Sequence, residues 1–163
     1  MRAETADKTE HCNCFAVRSA ARHVTQLYDQ YLAPVGLRTT QFSILAKLKR
    51  KAPLTINSLA DSMVMDRSTL GRNVQPLERD GLIAVETSVS DRRAKVLRLT
   101  RAGEKRLQAA LIAWSQAQER FESHFGGKRS AEMRALMRAV VQSSFAPTAV
   151  SPNIKGWAEG AVS

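Results

Sequence analysis

The sequence predicts a mainly α-helical protein with one small β-hairpin. Across most of the 163 residues, apolar side chains recur at intervals of three and four, which is the spacing of helices with one buried face. Two short segments, residues 82–88 and 91–100, instead have the composition of strands. The second of them begins with a turn so basic that it belongs at the surface. A polar-faced helix directly before such a hairpin is typical of a winged helix-turn-helix.

The chain begins, after a polar segment, with a predicted helix over residues 14–32, which Asn13 would cap and Pro34–Gly36 would end. A second helix, over about residues 39–51, is expected to bury Phe42, Ile44, Leu45 and Leu48. Its last five residues hold four basic side chains and no acid. Such a cluster suits the negative end of a helix dipole and would also suit contact with phosphate.

Two helices separated by a short turn are predicted next, over residues 55–63 and 67–79. Thr55 and Asp66 are the expected N-caps, because their side-chain oxygens can accept hydrogen bonds from free N–H groups of the first turn. The second of these helices is expected to bury Leu70, Val74 and Leu77. Its outer face would then carry Arg67, Ser68, Thr69, Arg72 and Asn73.

The chain after the hairpin is predicted to be helical again. Thr100 is the expected cap of a long helix that reaches about Phe125. Gly126 and Gly127 would break this helix, and Ser130 is expected to cap a last one that ends near residue 141.

The basic residues are concentrated in the middle of the chain. The protein carries 25 basic and 15 acidic residues, a net charge of +10. Residues 38–106 hold 15 of the basic and 7 of the acidic side chains, a local excess of +8. Such a field raises affinity for polyanions through the release of counterions. Composition alone is equally compatible with a solvated charged face, so the motifs must decide.

The outer face of the helix over residues 67–79 suits contact with DNA. In a helix-turn-helix, the second helix enters the major groove and its N-terminal residues reach base edges. Arginine can form two hydrogen bonds with guanine, asparagine can do so with adenine, and serine or threonine can contact bases or phosphate. Taken alone, an ordinary solvent-facing helix would have the same pattern. The basic hairpin that follows favours DNA binding.

Arg92 is the expected tip of the wing, since a narrow minor groove attracts a guanidinium group. Asp91 cannot favour DNA directly, so we expect it to orient Arg93 through a charge-assisted pair. The alternative for Asp91 and Arg93 is a surface ion pair that contributes less than about 1 kcal/mol.

Other classes of protein fit the sequence poorly. The longest apolar run, residues 109–114, is far too short to cross a bilayer, and the polar first ten residues lack the apolar core of a signal peptide. We therefore expect a cytoplasmic protein with no membrane partner, which a count of two cysteines also fits. No nucleophile–base pair, phosphate loop or metal-binding set is visible, so neither an enzyme nor a cofactor is expected.

Three segments carry a resemblance to a known family: residues 77–83 (LERDGLI), 91–93 (DRR) and 99–103 (LTRAG). In sequence and spacing they resemble the multiple-antibiotic-resistance regulator (MarR) family, over about residues 14–141. The resemblance implies a homodimer in which the first helix and the last two interlock, and in which each winged lobe reads half of a pseudo-palindromic operator in double-stranded DNA. Most relatives are repressors released by a small phenolic or lipophilic ligand or by cysteine oxidation.

Together with the composition of its two ends, the resemblance predicts a division of the chain into five parts. We expect a flexible arm (1–13), a dimerisation helix (14–37), a winged-helix DNA-binding lobe (38–103), C-terminal dimerisation helices (104–145) and a tail (146–163). The alternative to a transcription regulator is a winged-helix module that binds protein and not DNA. Such a module would be expected to lack the arginines at positions 67, 72, 92 and 93.

Cys12 and Cys14 lie where the first helix is expected to begin, and a helix N-terminus favours a thiolate. The run Cys-Phe-Ala from Cys14, followed by Tyr28, resembles the organic-hydroperoxide-sensing branch of the family, in which a cysteine at this place is oxidised and tyrosines hydrogen-bond to it. A second tyrosine of that pattern would fall near Thr39, where this chain has none. Cys14 is then the candidate reactive thiol and Cys12 a candidate resolving partner. The alternative is a pair of small thiols in the dimer core.

A pocket for a small aromatic or lipophilic effector is a further option. In the family it lies between the dimer helices and the winged lobe, which places near it Phe15, Arg18, Arg22, Tyr28, Phe42 and Leu45. Arg18 and Arg22 are one helical turn apart and would suit a carboxylate or a CoA phosphate. They would equally suit solvent or ion pairs between subunits.

Overall fold

The computed structural model describes residues 11–88 and 92–143. Its elements in chain order are α1 (Asn13–Leu32), a 3-10 turn (Ala33–Val35), α2 (Thr39–Lys51), β1 (Leu54–Thr55), α3 (Ile56–Met63), α4 (Arg67–Arg79), β2 (Ile83–Thr87), β3 (Lys95–Leu99), α5 (Arg101–Phe125) and α6 (Gly127–Gln142). The predicted fold class is confirmed, because helices dominate and the strands form one small sheet. No helix in the described part of the chain is long and apolar enough to cross a bilayer.

The inward faces predicted for α2 and α4 are both confirmed. All of their expected core residues are buried: Phe42, Ile44, Leu45 and Leu48 on α2, and Leu70, Val74 and Leu77 on α4. Burying a side chain of this size stabilises the fold by roughly 1.5–3 kcal/mol relative to its exposure to water. These residues form one core, which also includes Leu32 at the end of α1 and Leu97 in the sheet.

The start of α1 differs from the prediction. Asn13, the expected N-cap, already lies in the first turn, and Cys12 has the extended backbone of a cap. The Phe15 N–H donates to the Cys12 sulfur at 3.5 Å. The prediction is wrong because cysteine is outside the usual set of capping residues, which carry a side-chain oxygen.

A side chain of α1 caps the next helix from a distance. Oδ1 of Asp29 accepts hydrogen bonds from the N–H and the hydroxyl of Thr39, each at 2.7 Å, and Oδ2 faces the guanidinium of Arg38 at 3.4 Å. Partial burial raises the pKa of Asp29, but the hydrogen bonds of Thr39 and the charge of Arg38 together outweigh it, so the pKa lies below its ordinary value. The carboxylate therefore joins the end of α1 to the start of α2.

The sheet has three antiparallel strands in the order β1–β3–β2. Leu97 of the central strand β3 pairs with Leu54 on one side and with Val85 on the other. The sequence predicts β2 and β3 but not β1, because two residues are too short to show an alternating pattern. The wing therefore rests on a third strand that joins it to the start of α3.

The junction between β3 and α5 confirms Thr100 as a helix cap. Its Oγ1 accepts a hydrogen bond from the Gly103 N–H at 3.0 Å and donates one to the Gly81 carbonyl at 2.6 Å. Gly103 is buried, and a Cβ at this position would lie 2.0 Å from the carbonyl oxygen of Leu82. Only glycine, which has no Cβ, allows the two backbone segments to lie this close together. This contact gives a physical reason for the Leu-Thr-x-x-Gly pattern.

The described chain divides into two compact units, with the boundary between His124 and Phe125. In the second unit, Gly126 precedes α6 as its cap with φ at 96°. Ser130, the expected cap, lies buried inside the helix and donates its hydroxyl hydrogen to the Gly126 carbonyl at 2.8 Å. The prediction is wrong because the glycine tolerates a left-handed backbone that starts the helix earlier.

Candidate nucleic-acid interface

The N-terminus of α4 is held by its predicted cap. Oδ1 of Asp66 accepts the Ser68 hydroxyl at 2.5 Å and the Thr69 N–H at 2.8 Å. These hydrogen bonds, that of Ser68 above all, hold the pKa of Asp66 well below its ordinary value. The carboxylate is therefore charged near neutral pH and stabilises the positive end of the helix dipole. The first turn of α4 thus presents its outer side chains from a well-defined backbone.

Two arginines extend from this part of α4 into solvent. Arg67 and Arg72 are exposed, and neither guanidinium makes an ion pair or hydrogen bond within the described residues. Leu70, Val74 and Leu77 of the same helix are buried, and at 100° per residue Arg72 lies roughly opposite them. Two unpaired cations on a firmly capped helix are available for a ligand rich in hydrogen-bond acceptors.

The other three predicted contacts on α4 differ in accessibility. Ser68 is exposed, although its hydroxyl donates to Asp66. Thr69 and Asn73 are half-buried, and Nδ2 of Asn73 donates to the Thr69 carbonyl at 2.9 Å. Asn73 therefore lies along the flank of the helix and would meet a base through Oδ1 or after breaking this bond.

The wing places two arginines at the surface. Arg92 and Arg93 are exposed beyond β2, and the Ser88 N–H donates to the Ala94 carbonyl at 2.8 Å where the hairpin narrows. Asp91 lies outside the described residues, so its pairing with Arg93 stays a prediction. The wing and the first turns of α4 thus offer four arginines to a polyanion.

The residues predicted to sense a signal are spread over α1 and α2. Four of them are exposed: Cys12, Cys14, Arg18 and Arg22. Cys14 and Tyr28 lie on one helix, and fourteen residues at 1.5 Å each place them roughly 21 Å apart. The Tyr28 hydroxyl donates instead to Oε1 of Gln118 on α5 at 2.5 Å. A contact between this tyrosine and a cysteine therefore requires a second chain.

A cavity of about 440 Å³ lies between α2 and α5. Phe42 and Trp114 stack there with their ring centroids 6.1 Å apart and 18° between their planes. The cavity is lined by Phe42, Ser43, Ala46, Lys47, Lys49, Arg50, Leu107, Leu111 and Trp114. Of the predicted effector residues, only Phe42 is among them.

Three of the lining residues are cationic. Lys47 donates to the Ser62 carbonyl at 2.7 Å, and Lys49 pairs with Glu104 at 2.6 Å. Arg50 is exposed and has no partner in the described part of the chain. The sequence signals for this cavity were the basic end of α2 and the apolar stripe of α5, but an apolar stripe of that spacing indicates only burial. Within the described ranges, no group of three His, Cys, Asp or Glu could hold a metal ion.

Comparisons with known proteins point to one family. Residues 37–95 match the model of the MarR family. The transcriptional regulator MosR of M. tuberculosis, crystallised in complex with DNA, is 34% identical to this chain; the match covers 80% of this chain and 97% of MosR, with a TM-score of 0.69.

Two further relatives are more distant. CouR from Rhodococcus jostii RHA1, solved with p-coumaroyl-CoA, is 23% identical over 84% of this chain and 96% of CouR, with a TM-score of 0.70, a likeness of fold. The organic hydroperoxide resistance transcriptional regulator of Bacillus subtilis is 27% identical over 96 residues. That match covers 59% of this chain and 65% of the regulator, just under two thirds of its length.

Proposed function

The chain belongs to the MarR family of transcription regulators, and on that premise we propose that it is a homodimeric, sequence-specific DNA-binding repressor released by a small-molecule or redox signal. Its partners are then a pseudo-palindromic operator, a second copy of itself and a small effector, and it acts in the cytoplasm. Members of the family regulate transcription and are not enzymes.

One observation carries the proposal: Arg67 and Arg72 are exposed and have no partner among residues 11–88 and 92–143, on a helix whose first turn is held by Asp66. We assign Arg72 to a base edge and Arg67 to a base edge or a neighbouring phosphate. Ser68, Thr69 and Asn73 belong to the same interface. The firm cap supports these roles because a helix that frays would not hold them in register with the bases.

The wing supplies the second part of the proposed interface. Arg92 would enter the minor groove, where the negative potential is strongest when the groove is narrow. Arg93 would contact phosphate, oriented by Asp91. A module that binds only protein is the alternative, and the retention of all four arginines disfavours it.

The proposed dimer would cover apolar side chains that a single chain leaves in water. On α1, Phe15 is 64% exposed; on α5, Ile112 is 66% exposed; on α6, Leu136 and Val141 are 64% and 60% exposed. Exposed apolar residues of this number on three helices favour burial against a partner. Two copies related by a twofold axis would present two α4 helices to two half-sites.

The effector site that the geometry favours is the cavity between α2 and α5. The stacked Phe42 and Trp114 suit an aromatic ring, and Arg50, which has no partner among the described residues, suits an anionic group on the same molecule. Aromatic carboxylic acids and their CoA esters are therefore the first compounds to test. Binding should quench the fluorescence of Trp114 in the parent and leave a Trp114→Phe variant without that response.

Oxidation is the other proposed signal. An organic hydroperoxide would transfer one oxygen atom to a thiolate, which leaves an alcohol and a sulfenic acid, and a second thiol would condense with it to a disulfide and water. Cys14 and Cys12 are exposed, as this chemistry requires. A disulfide between them would withdraw the Cys12 sulfur from the Phe15 N–H and loosen the first turn of α1. The likeness to the Bacillus hydroperoxide regulator supports this option.

The test is a mobility-shift series with DNA from upstream of the protein's own gene, at roughly 50 to 200 mM salt. Arg92→Ala should weaken binding to every duplex and should reduce, by about 1, the slope of the logarithm of the binding constant against the logarithm of the salt concentration. Arg72→Ala should instead relax the preference for particular bases. Arg79→Ala is the matched control, because Arg79 lies at the other end of α4 and pairs with Asp80 at 3.2 Å. Failure to bind any duplex at low salt contradicts the function, and equal effects of Arg72→Ala and Arg79→Ala contradict the role of α4.

A further inference from the structure

Gly71 lowers the stability of α4 without an internal reason. It lies in the interior of the helix, where glycine is among the least favourable residues. Its backbone is not left-handed, and a Cβ added to it would meet no heavy atom of the described residues within 4 Å, its own helix backbone and chain neighbours aside. Neither a turn nor packing among the described residues therefore requires a glycine at this position.

Several of the other described glycines do have such reasons. Gly103 lies against the Leu82 carbonyl, and Gly81 and Gly126 adopt positive φ values of 69° and 96°. Gly71 shares neither feature and, unlike Gly127 at the start of α6, lies inside its helix, so its reason is something other than backbone conformation or the contacts of the described residues.

The position of Gly71 around the helix axis indicates what that reason is. At 3.6 residues per turn, Arg72 lies roughly 140° from Arg67, and Gly71 lies between them, roughly 40° from Arg67. Gly71 is itself half-buried, so it forms a notch on the flank of α4 between Arg67 and the exposed Ser68, where a side chain would otherwise project. Both arginines are long enough to reach a base from a distance, but the exposed Ser68 beside the notch is short.

We propose that Gly71 is a point of close approach to DNA, at which the missing side chain lets the backbone of α4 reach the floor of the major groove. This inference rests on the proposed DNA-binding function and adds a specificity-determining residue to it. The deeper position brings the Ser68 hydroxyl within reach of a base edge, which a side chain at position 71 would prevent by holding the helix away.

The experiment compares Gly71→Ala and Gly71→Leu with the parent, by thermal denaturation and by titration of an operator duplex and a scrambled duplex of equal length. Gly71→Ala should raise the melting temperature, because alanine favours a helix, and should weaken operator binding about tenfold. Gly71→Leu should weaken it further. Binding to the scrambled duplex should change by less than about twofold, since it rests on charge.

Gly127→Ala is the control, because Gly127 begins α6, away from α4 in the sequence, and a Cβ there also meets no atom of the described residues within 4 Å. It should leave operator binding unchanged. If Gly71→Ala binds the operator as tightly as the parent, or melts at a lower temperature, the inference is overturned and the DNA-binding function stands. If the parent itself does not distinguish operator from scrambled DNA, the proposed function fails and the inference fails with it.

Discussion

Replacing Gly103 by alanine should destabilise the protein, because the new Cβ would lie 2.0 Å from the carbonyl oxygen of Leu82 and 3.2 Å from Cδ2 of Leu99. A backbone carbonyl cannot swing away as the end of a flexible side chain can, so α5 and the start of β2 would have to separate by about 1 Å or more. Overpacking of this kind lowers the free energy of unfolding by about 1–3 kcal/mol. We expect a value near the upper end of this range, because the new Cβ meets a backbone atom.

The gain in helix propensity from glycine to alanine, about 1 kcal/mol, offsets part of that cost. The expected net loss is therefore about 2 kcal/mol, which lowers the melting temperature by about 4–8 °C for a chain of this size. The assay is thermal denaturation followed by circular dichroism at one protein concentration, because the melting temperature of a dimer depends on concentration.

Gly71→Ala is the matched control for this prediction. It is the same substitution within a helix, but the new Cβ meets no atom of the described residues within 4 Å, so the melting temperature of this variant should rise. A Gly103→Ala variant that melts at or above the temperature of the parent would refute the argument that the approach of Leu82 requires glycine.

Three further predictions concern the caps and the thiols. Asp66→Ala should lower both thermal stability and operator affinity, because α4 loses its cap, while Asp66→Asn should retain most of both; equal loss in the two variants would argue against the cap. The lowered pKa of Asp29 means that its stabilising effect is present above the unfolded pKa of roughly 4 and is lost as the pH falls through the folded value. The urea midpoint should therefore fall more steeply below about pH 4 in the parent than in Asp29→Asn, and parallel curves would contradict this. Cys14→Ser should abolish release of DNA by an organic hydroperoxide in a mobility-shift assay, and unchanged release would exclude Cys14 as the sensor.

The sequence predicts well those features whose partners are close along the chain. Thr55, Asp66 and Thr100 were all identified as caps, and each accepts a hydrogen bond from the N–H three residues further on. The buried stripe of α4 follows from its spacing in the same way. A local pattern is enough in these cases because the donor and acceptor are brought together by the helix itself.

Features that depend on distant partners were missed. β1 is too short to recognise without Leu97, with which Leu54 pairs, and Asp29 caps α2 from ten residues before Thr39. The cavity is missed for the same reason, since Trp114 of α5 meets Phe42 of α2 only in the folded chain. Tertiary contacts of this kind leave no periodic signal in the sequence.

The exposure of the residues predicted to contact DNA on α4 differs from one to another. The arginines of α4 are exposed as a reader of DNA requires, but Asn73 is half-buried beside the apolar stripe. A count of 100° per residue places Asn73 on the flank nearest Leu77, so its partial burial could have been predicted from the sequence. The sequence alone could not single out Gly71, because only the atoms around it distinguish it from a glycine that packing requires.

Sequence-specific DNA recognition by this protein is tested most directly by the ratio of its affinities for an operator duplex and for a scrambled duplex of the same length. The measurement is fluorescence anisotropy at one near-physiological salt concentration, with the duplex taken from upstream of the protein's own gene. A ratio of about 10³ or more, lost in Arg72→Ala and kept in Arg79→Ala, is the expected result. Equal affinities of the parent for the two duplexes would contradict it.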